Sequence, residues 1–214
     1  MMKSRKVVTR SGRKFRGYFP SKKLGRMVEW ESLLERDAIL LLEFSSGIKS
    51  YQEQPELIYY QLNDEIQHYY PDFSITLSKA EVIFLEVKPK SKFSSLELID
   101  KFNAIINYYN HIEKDFKILT DEHIRAEPRL TNLKRLARVL HHHPVALDAQ
   151  EEVIKLLKGG AILSVASLSK IIGLTSTLVL LAHGVIYCDI NTDFNIIQNF
   201  LRLPKEHDYD ALFI

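Results

Sequence analysis

The stretch HYYPDFSITLSKAEVIFLEVK, residues 68–88, decides the fold. Two runs rich in β-branched and aromatic residues, 66–77 and 81–88, flank Ser78-Lys79-Ala80. A three-residue connection between such runs predicts a β-hairpin. With the turn centred on Lys79, residues 72 and 86 lie equally far from the tip. That register sets Asp72 opposite Glu86, on one face and about 5 Å apart at Cβ. Alternation keeps Glu86 and Lys88 on that face and turns Val87 away. A slip of one residue would separate the carboxylates, so the reading depends on the register.

Two carboxylates held this close repel unless a cation sits between them. Oxygen donors favour Mg²⁺ or Mn²⁺, and Mg²⁺ needs only one or two carboxylates beside water and phosphate oxygens. Such an ion acidifies a bound water and stabilises charge at phosphorus. Lys88 would position that water or neutralise developing charge. The pattern thus fits phosphodiester hydrolysis. A solvated strand end with a surface ion pair would share it, but Ile83-Phe84-Leu85 before Glu86 marks a core strand.

Upstream, residues 28–45 carry Leu34, Ala38, Leu41 and Leu42 at helical spacing, and Ser45-Ser46-Gly47 ends the pattern. Glu35 shares this helix with Ala38, Ile39 and Leu42, and a carboxylate beside an apolar stripe is costly unless paired or bound to metal. Glu31, one turn earlier on the same side, is its rival as a ligand. Residues 48–53 and 56–62 read as extended around Pro55. Downstream come an amphipathic helix (95–112), a strand (116–120) and a basic helix (130–141). The order predicts an α/β domain with a mixed sheet flanked by helices. The pairs Tyr69-Tyr70 and Tyr108-Tyr109 read as half-buried core.

Residues 1–26 hold ten Lys/Arg and no acid, whereas the remaining 188 residues hold 19 basic and 27 acidic side chains. An arm of this kind has no apolar face to bury and is expected to be extended on its own. Its natural partner is a polyanion, because each neutralised phosphate releases counterions. The candidate DNA-binding side chains are Arg5, Lys6, Arg13, Lys14, Arg16, Lys22, Lys23 and Arg26. Cys188 is the only cysteine, so no disulfide can form within the chain. No apolar run is long enough to span a membrane and the basic start lacks an apolar h-region, so a cytoplasmic protein is expected.

Pro144 after His141-His142-His143 breaks the chain. The organisation predicted is a basic arm (1–27), an α/β domain (28–143) and a small helical domain (144–214). In the last, residues 167–172 and 176–183 read as a helix-turn-helix, with 185–189 as a wing strand. The second helix, STLVLLAH, has no Arg, Lys, Asn or Gln to read bases, which favours protein contact.

Pro71-Asp72, a thirteen-residue gap and Glu86-Val87-Lys88 form the PD-(D/E)xK nuclease pattern. The surrounding text is more specific. FRGYFPSKKLGRMVEWESLLERDAILLLEF, YQEQPELIYY, HYYPDFSI and FLEVKPK resemble the TnsA family of transposon endonucleases across roughly residues 5–120. The resemblance implies a restriction-endonuclease-like nuclease domain and a winged-helix-like C-terminal α domain. It implies that Glu35, Asp72, Glu86 and the Val87 main-chain carbonyl hold two Mg²⁺ (or Mn²⁺) ions. Lys88 would serve the attacking water, and Gln54 would be a site-adjacent residue. It also implies 5′-strand cleavage at transposon ends beside a DDE-type, TnsB-like transposase. A TnsC-like AAA+ regulator would meet the C-terminal domain, and the protein would be bacterial and nucleoid-associated when active. A repair or junction-resolving nuclease of the same fold, or a non-catalytic DNA-binding regulator, are the alternatives.

Overall fold

The computed structural model describes residues 15–205. They form two compact units divided between Ile124 and Arg125. The first unit opens with an antiparallel hairpin of β1 (Gly17–Ser21) and β2 (Arg26–Trp30). Gly25 in its turn has φ +64°, a conformation favouring glycine. Helix α1 (Leu33–Phe44) begins later than the apolar spacing predicts. The Ser32 hydroxyl caps it, accepting from the Glu35 N–H at 3.1 Å, and Val28 before it is a strand residue paired with Phe19.

The chain continues through β3 (Ile48–Glu53), β4 (Ile58–Leu62), β5 (Glu65–Tyr69), β6 (Phe73–Leu77) and β7 (Val82–Val87). Helix α2 (Leu96–His111), β8 (Asp115–Leu119) and the short α3 (Asp121–Ile124) complete the unit. The main sheet runs β3-β6-β7-β8, antiparallel except for the β7–β8 pair, which is parallel. This is the expected mixed α/β architecture, consistent with a restriction-endonuclease-like fold. The continuous strand predicted over 66–77 is two strands instead. Proline supplies no N–H for a ladder, and the chain breaks at Pro71. β5 pairs with β4 in a separate two-stranded sheet.

Both faces of the main sheet are covered. Tyr51, paired with Ile75 and through it with Ile83, donates its hydroxyl to Glu43 of α1 at 2.7 Å, so this face belongs to α1. Phe84, on the other face, stacks on Tyr109 of α2 with ring centroids 4.7 Å apart. Alternation then puts Glu86 on the α2 face.

The described part of the arm is a docked hairpin. Its partners lie some twenty residues away in sequence, where no local pattern announces them. Glu43 is buried and accepts four hydrogen bonds: from the Ser21 and Tyr51 hydroxyls and from the Lys22 and Lys23 N–H groups, all at 2.7–2.9 Å. Lys23 Nζ donates to the carbonyls of Leu42, Ser45 and Ile48 at 2.7–2.8 Å, covering the C-terminal end of α1. Burial pushes its pKa down to about 8, with Glu43 pulling the other way. Arg26 grips Glu53 through two hydrogen bonds of 2.8 and 2.7 Å. Lys23 and Arg26 therefore both help hold the hairpin to the fold. Lys22 gives only its main chain to this clasp, and Arg16 lies at the hairpin's start. Arg5, Lys6, Arg13 and Lys14 fall outside the described residues.

The second unit contains α4 (Arg129–Val139), α5 (Leu147–Lys158), α6 (Val165–Ile172) and α7 (Leu174–Ala182). Helix α4 belongs here rather than with the nuclease region expected to run to 143. Asn132 Nδ2 donates to the carbonyls of Ile190 (3.0 Å) and Thr192 (2.9 Å), and His183 Nε2 meets the Leu140 carbonyl at 3.1 Å. The capping box of Ser164 and Ser167 starts α6, and Gly173, φ +86°, turns the chain into α7. The wing strand expected over 185–189 is a single antiparallel bridge, Tyr187 to Arg202, with N–H···O distances of 2.8 Å in both directions. Among the described residues no helix is long and apolar enough to cross a membrane.

The clasp on Glu43 has a testable consequence. Glu43→Gln keeps the shape but turns an amide group toward donors. Leaving buried donors unmet costs about 1–3 kcal/mol. The expected result is a lower denaturant midpoint and faster tryptic cleavage after Lys22 or Lys23; an unchanged midpoint would contradict the assigned role.

Candidate active site

The hairpin register is the one the sequence predicts. Phe73 pairs with Leu85 and Ser74 with Phe84, the predicted register; Asp72 lies just before the first pair and Glu86 just after it, close enough for Glu86 to act on the Asp72 charge. The turn closes with the Ala80 N–H on the Leu77 carbonyl (2.9 Å) and Ala80 at φ 65°, the three-residue connection expected. The backbone at Asp72 is fixed from both sides. Its carbonyl accepts from the Gln54 N–H at 2.9 Å, and its Oδ2 accepts from the Val87 N–H at 2.8 Å. Gln54 reaches this position with a left-handed φ of 42°.

Glu86 is 2 % exposed, and both its oxygens are engaged. Lys88 Nζ lies 2.7 Å from Oε1, and the Tyr69 hydroxyl donates to Oε2. Lys88 retains 37 % side-chain exposure, so its ammonium reaches solvent while gripping a carboxylate that does not. Its main-chain N–H is bonded to the Leu119 carbonyl at 3.0 Å, tying the lysine to the parallel β7–β8 edge.

Electrostatics tie five groups together: Asp72, Glu86, Glu35, Lys88 and Tyr69. Asp72 keeps some contact with solvent but is set among dense protein. Burial, then Glu86, then Glu35 drive its pKa well above the usual carboxylate range, and Lys88 and the Val87 N–H pull back only in part. Glu35 is also raised, first by burial, with smaller pushes from Glu31 and Glu86. Burial works against the Lys88 charge, but Glu86, Asp72 and Glu35 outweigh it and hold the ammonium above its ordinary value. Burial and the charges of Glu86 and Asp72 keep the Tyr69 phenol protonated, a donor.

Glu35 couples electrostatically to the other acids. Its Oε2 accepts from the Glu31 N–H at 2.7 Å, so the side chain closes the start of its own helix. Among the described residues no three His, Cys, Asp or Glu side chains form a group that could hold a metal ion in this conformation. The donor chemistry of the Asp72–Glu86 pair still fits a hard divalent cation. It is all oxygen, short of positive charge, and Mg²⁺ asks for only one or two carboxylates. Glu31 contributes its N–H to Glu35.

Tyr69 is the residue that sequence reasoning missed. It sits in the apolar cluster with Phe84, Phe102 and Tyr109, as core reading expects, but its hydroxyl is spent on Glu86. Pro71 breaks the alternation between Tyr69 and Asp72, so no spacing rule connects them.

The raised Asp72 pKa fixes the sign of a stability effect. The folded state holds this proton more tightly than the unfolded chain. The stabilisation is complete below the unfolded value of about 3.9 and is lost as pH rises through the folded value. Asp72→Asn keeps an acceptor for the Val87 N–H without the charge. Without divalent cations, the variant should melt above the wild type at pH 8 and match it near pH 4. A variant less stable at pH 8 would contradict this.

The family model described as TnsA-like endonuclease N terminal matches residues 45–121. The matched stretch holds Gln54, Asp72, Glu86 and Lys88, and Glu35 lies before it. No curated protein matches the chain. Residues 45–121 are thus similar to the TnsA-like endonuclease N-terminal domain.

Proposed function

We propose that this protein is the metal-dependent endonuclease subunit of a heteromeric transposase, hydrolysing the 5′ strands at transposon ends so that the element is excised. The observation that carries the reading is the junction of Asp72, Glu86 and Lys88 on one face of the β6–β7 end, inside the stretch matched by the TnsA-like model.

A bound Mg²⁺ or Mn²⁺ would supply Lewis acidity at phosphorus and a more acidic water. Asp72 and Glu86 would hold the ion with the Val87 main-chain carbonyl, and a second ion would need Glu35 to leave the Glu31 N–H. The chain's own residues do the rest. Lys88, held charged beside both carboxylates, orients the attacking water and offsets charge on the scissile phosphate. Val87 and Gln54 fix the position of Asp72 through their N–H groups. Ser74, two residues along from Asp72, lines a polar cleft of about 430 Å³ with Ser50, Gln52 and Thr76, which can follow a DNA backbone.

The partners in this reading are duplex DNA at transposon ends, a DDE-type transposase, and an AAA+ regulator docking on the C-terminal unit. The setting is a bacterial cytoplasm, at the nucleoid during transposition. Base-specific recognition falls to the transposase.

Two experiments test it. With Mn²⁺ and the partner transposase, the protein should nick the 5′ strands of plasmid-borne transposon ends. Asp72→Asn and Lys88→Ala should each lower the rate by at least about a hundredfold, the scale of losing one preorganised charge at a reacting group. Cleavage that survives both would refute the site. Removing residues 1–14, which hold six Lys/Arg, should weaken DNA binding and flatten its salt dependence by up to about 0.9 slope units per lost phosphate contact. An unchanged slope would remove the arm from the interface.

A further inference from the structure

Glu86 is held from two sheets. It belongs to β7 of the main sheet, while the hydroxyl on its Oε2 comes from Tyr69, the last residue of β5 in the separate β4–β5 sheet. The two donors on Glu86 differ in kind. Lys88 approaches on a long stem with 37 % of its side chain exposed, so ligand or solvent can displace it. Tyr69 is buried and its ring has little room to move. It packs edge-on to Phe102 (centroids 6.4 Å apart, planes at 85°) and to Phe116 (6.3 Å, 73°), and Lys101 Nζ lies 5.2 Å from its centroid on the ring face. Its backbone is paired with Ile58. A hydroxyl on so fixed a ring defines one direction for the carboxylate it binds.

We infer that Tyr69 is a positioning residue. It anchors Glu86 Oε2 and thereby presents Oε1, beside Lys88 and Asp72, to an incoming divalent cation. The inference rests on the cation-dependent nuclease reading and deepens it. In this role the β4–β5 hairpin is part of the active site's support, because it delivers the hydroxyl. Partners behind a ligand fix its orientation and basicity, and losing one typically weakens metal affinity about 10–100-fold. With Oε2 held by Tyr69, exchange of Lys88 for a cation at Oε1 leaves the carboxylate in its orientation.

Tyr69→Phe removes the hydroxyl and keeps the ring contacts. The full-length wild type and variant are titrated with Mn²⁺ by calorimetry and melted with and without Mn²⁺. The expected result is at least tenfold weaker Mn²⁺ binding by the variant and a smaller Mn²⁺-induced rise in melting temperature. The cation-free melting temperature should change by no more than a few degrees. A purely structural tyrosine would give the reverse, a lower cation-free melting temperature with unchanged Mn²⁺ affinity, and that would overturn the inference. If the wild type binds Mn²⁺ and Tyr69→Phe binds it equally well, the inference fails and the nuclease reading stands. If the wild type binds none, both fall together.

Discussion

The structure turns on two carboxylates that the β6–β7 register forces side by side. Asp72 and Glu86 share a face at the end of the hairpin, set among protein atoms where like charges interact strongly. A fold tolerates this only with compensation. Here Lys88 and Tyr69 occupy the oxygens of Glu86, the Val87 N–H reaches Asp72, and the Asp72 pKa is driven up. Each of these offsets part of the negative charge. Poorly compensated acidity of this kind is a recognised mark of a functional site.

The rest of the first unit serves to hold that arrangement. The α1 face carries a second acidic system with a different character. Glu43 and Glu53 are as buried as Glu86, but their donors leave little unmet: four hydrogen bonds on Glu43, and a bidentate arginine on Glu53. Burial would raise Glu53, yet Arg26 brings its pKa below the ordinary range. The contrast separates structure from chemistry. Well-supplied carboxylates pin the β1–β2 hairpin to the domain, while the pair on the other face keeps a raised Asp72 pKa.

Much of the site is legible in the sequence because the rules that place it are local. Strand alternation and a three-residue turn suffice to bring residue 72 opposite 86. Apolar spacing finds the helix of Glu35, although its start is misplaced because Val28 reads as a helix residue when its neighbour is Phe19 across a hairpin. What is hidden is non-local. The bonds of Lys23 to the α1 carbonyls and of Arg26 to Glu53 join residues about 19 and 27 apart, which no local pattern announces. Helix α4 looks continuous with the nuclease until Asn132 reaches carbonyls some sixty residues away. Tyr69 looks like core, and it is, but its hydroxyl is oriented by a fold that breaks at Pro71. The capping role of Glu35 follows the Ser32-to-Glu35 spacing, yet nothing local distinguishes a cap from a metal ligand, since both need a carboxylate at that position.

The most direct test of the central claim is anomalous scattering at the manganese edge from crystals grown with Mn²⁺. The account predicts a peak between the carboxylates of Asp72 and Glu86, with Lys88 drawn away from Oε1. A well-ordered site with no peak there, its carboxylates still bound to Lys88 and Tyr69 at saturating Mn²⁺, would contradict it.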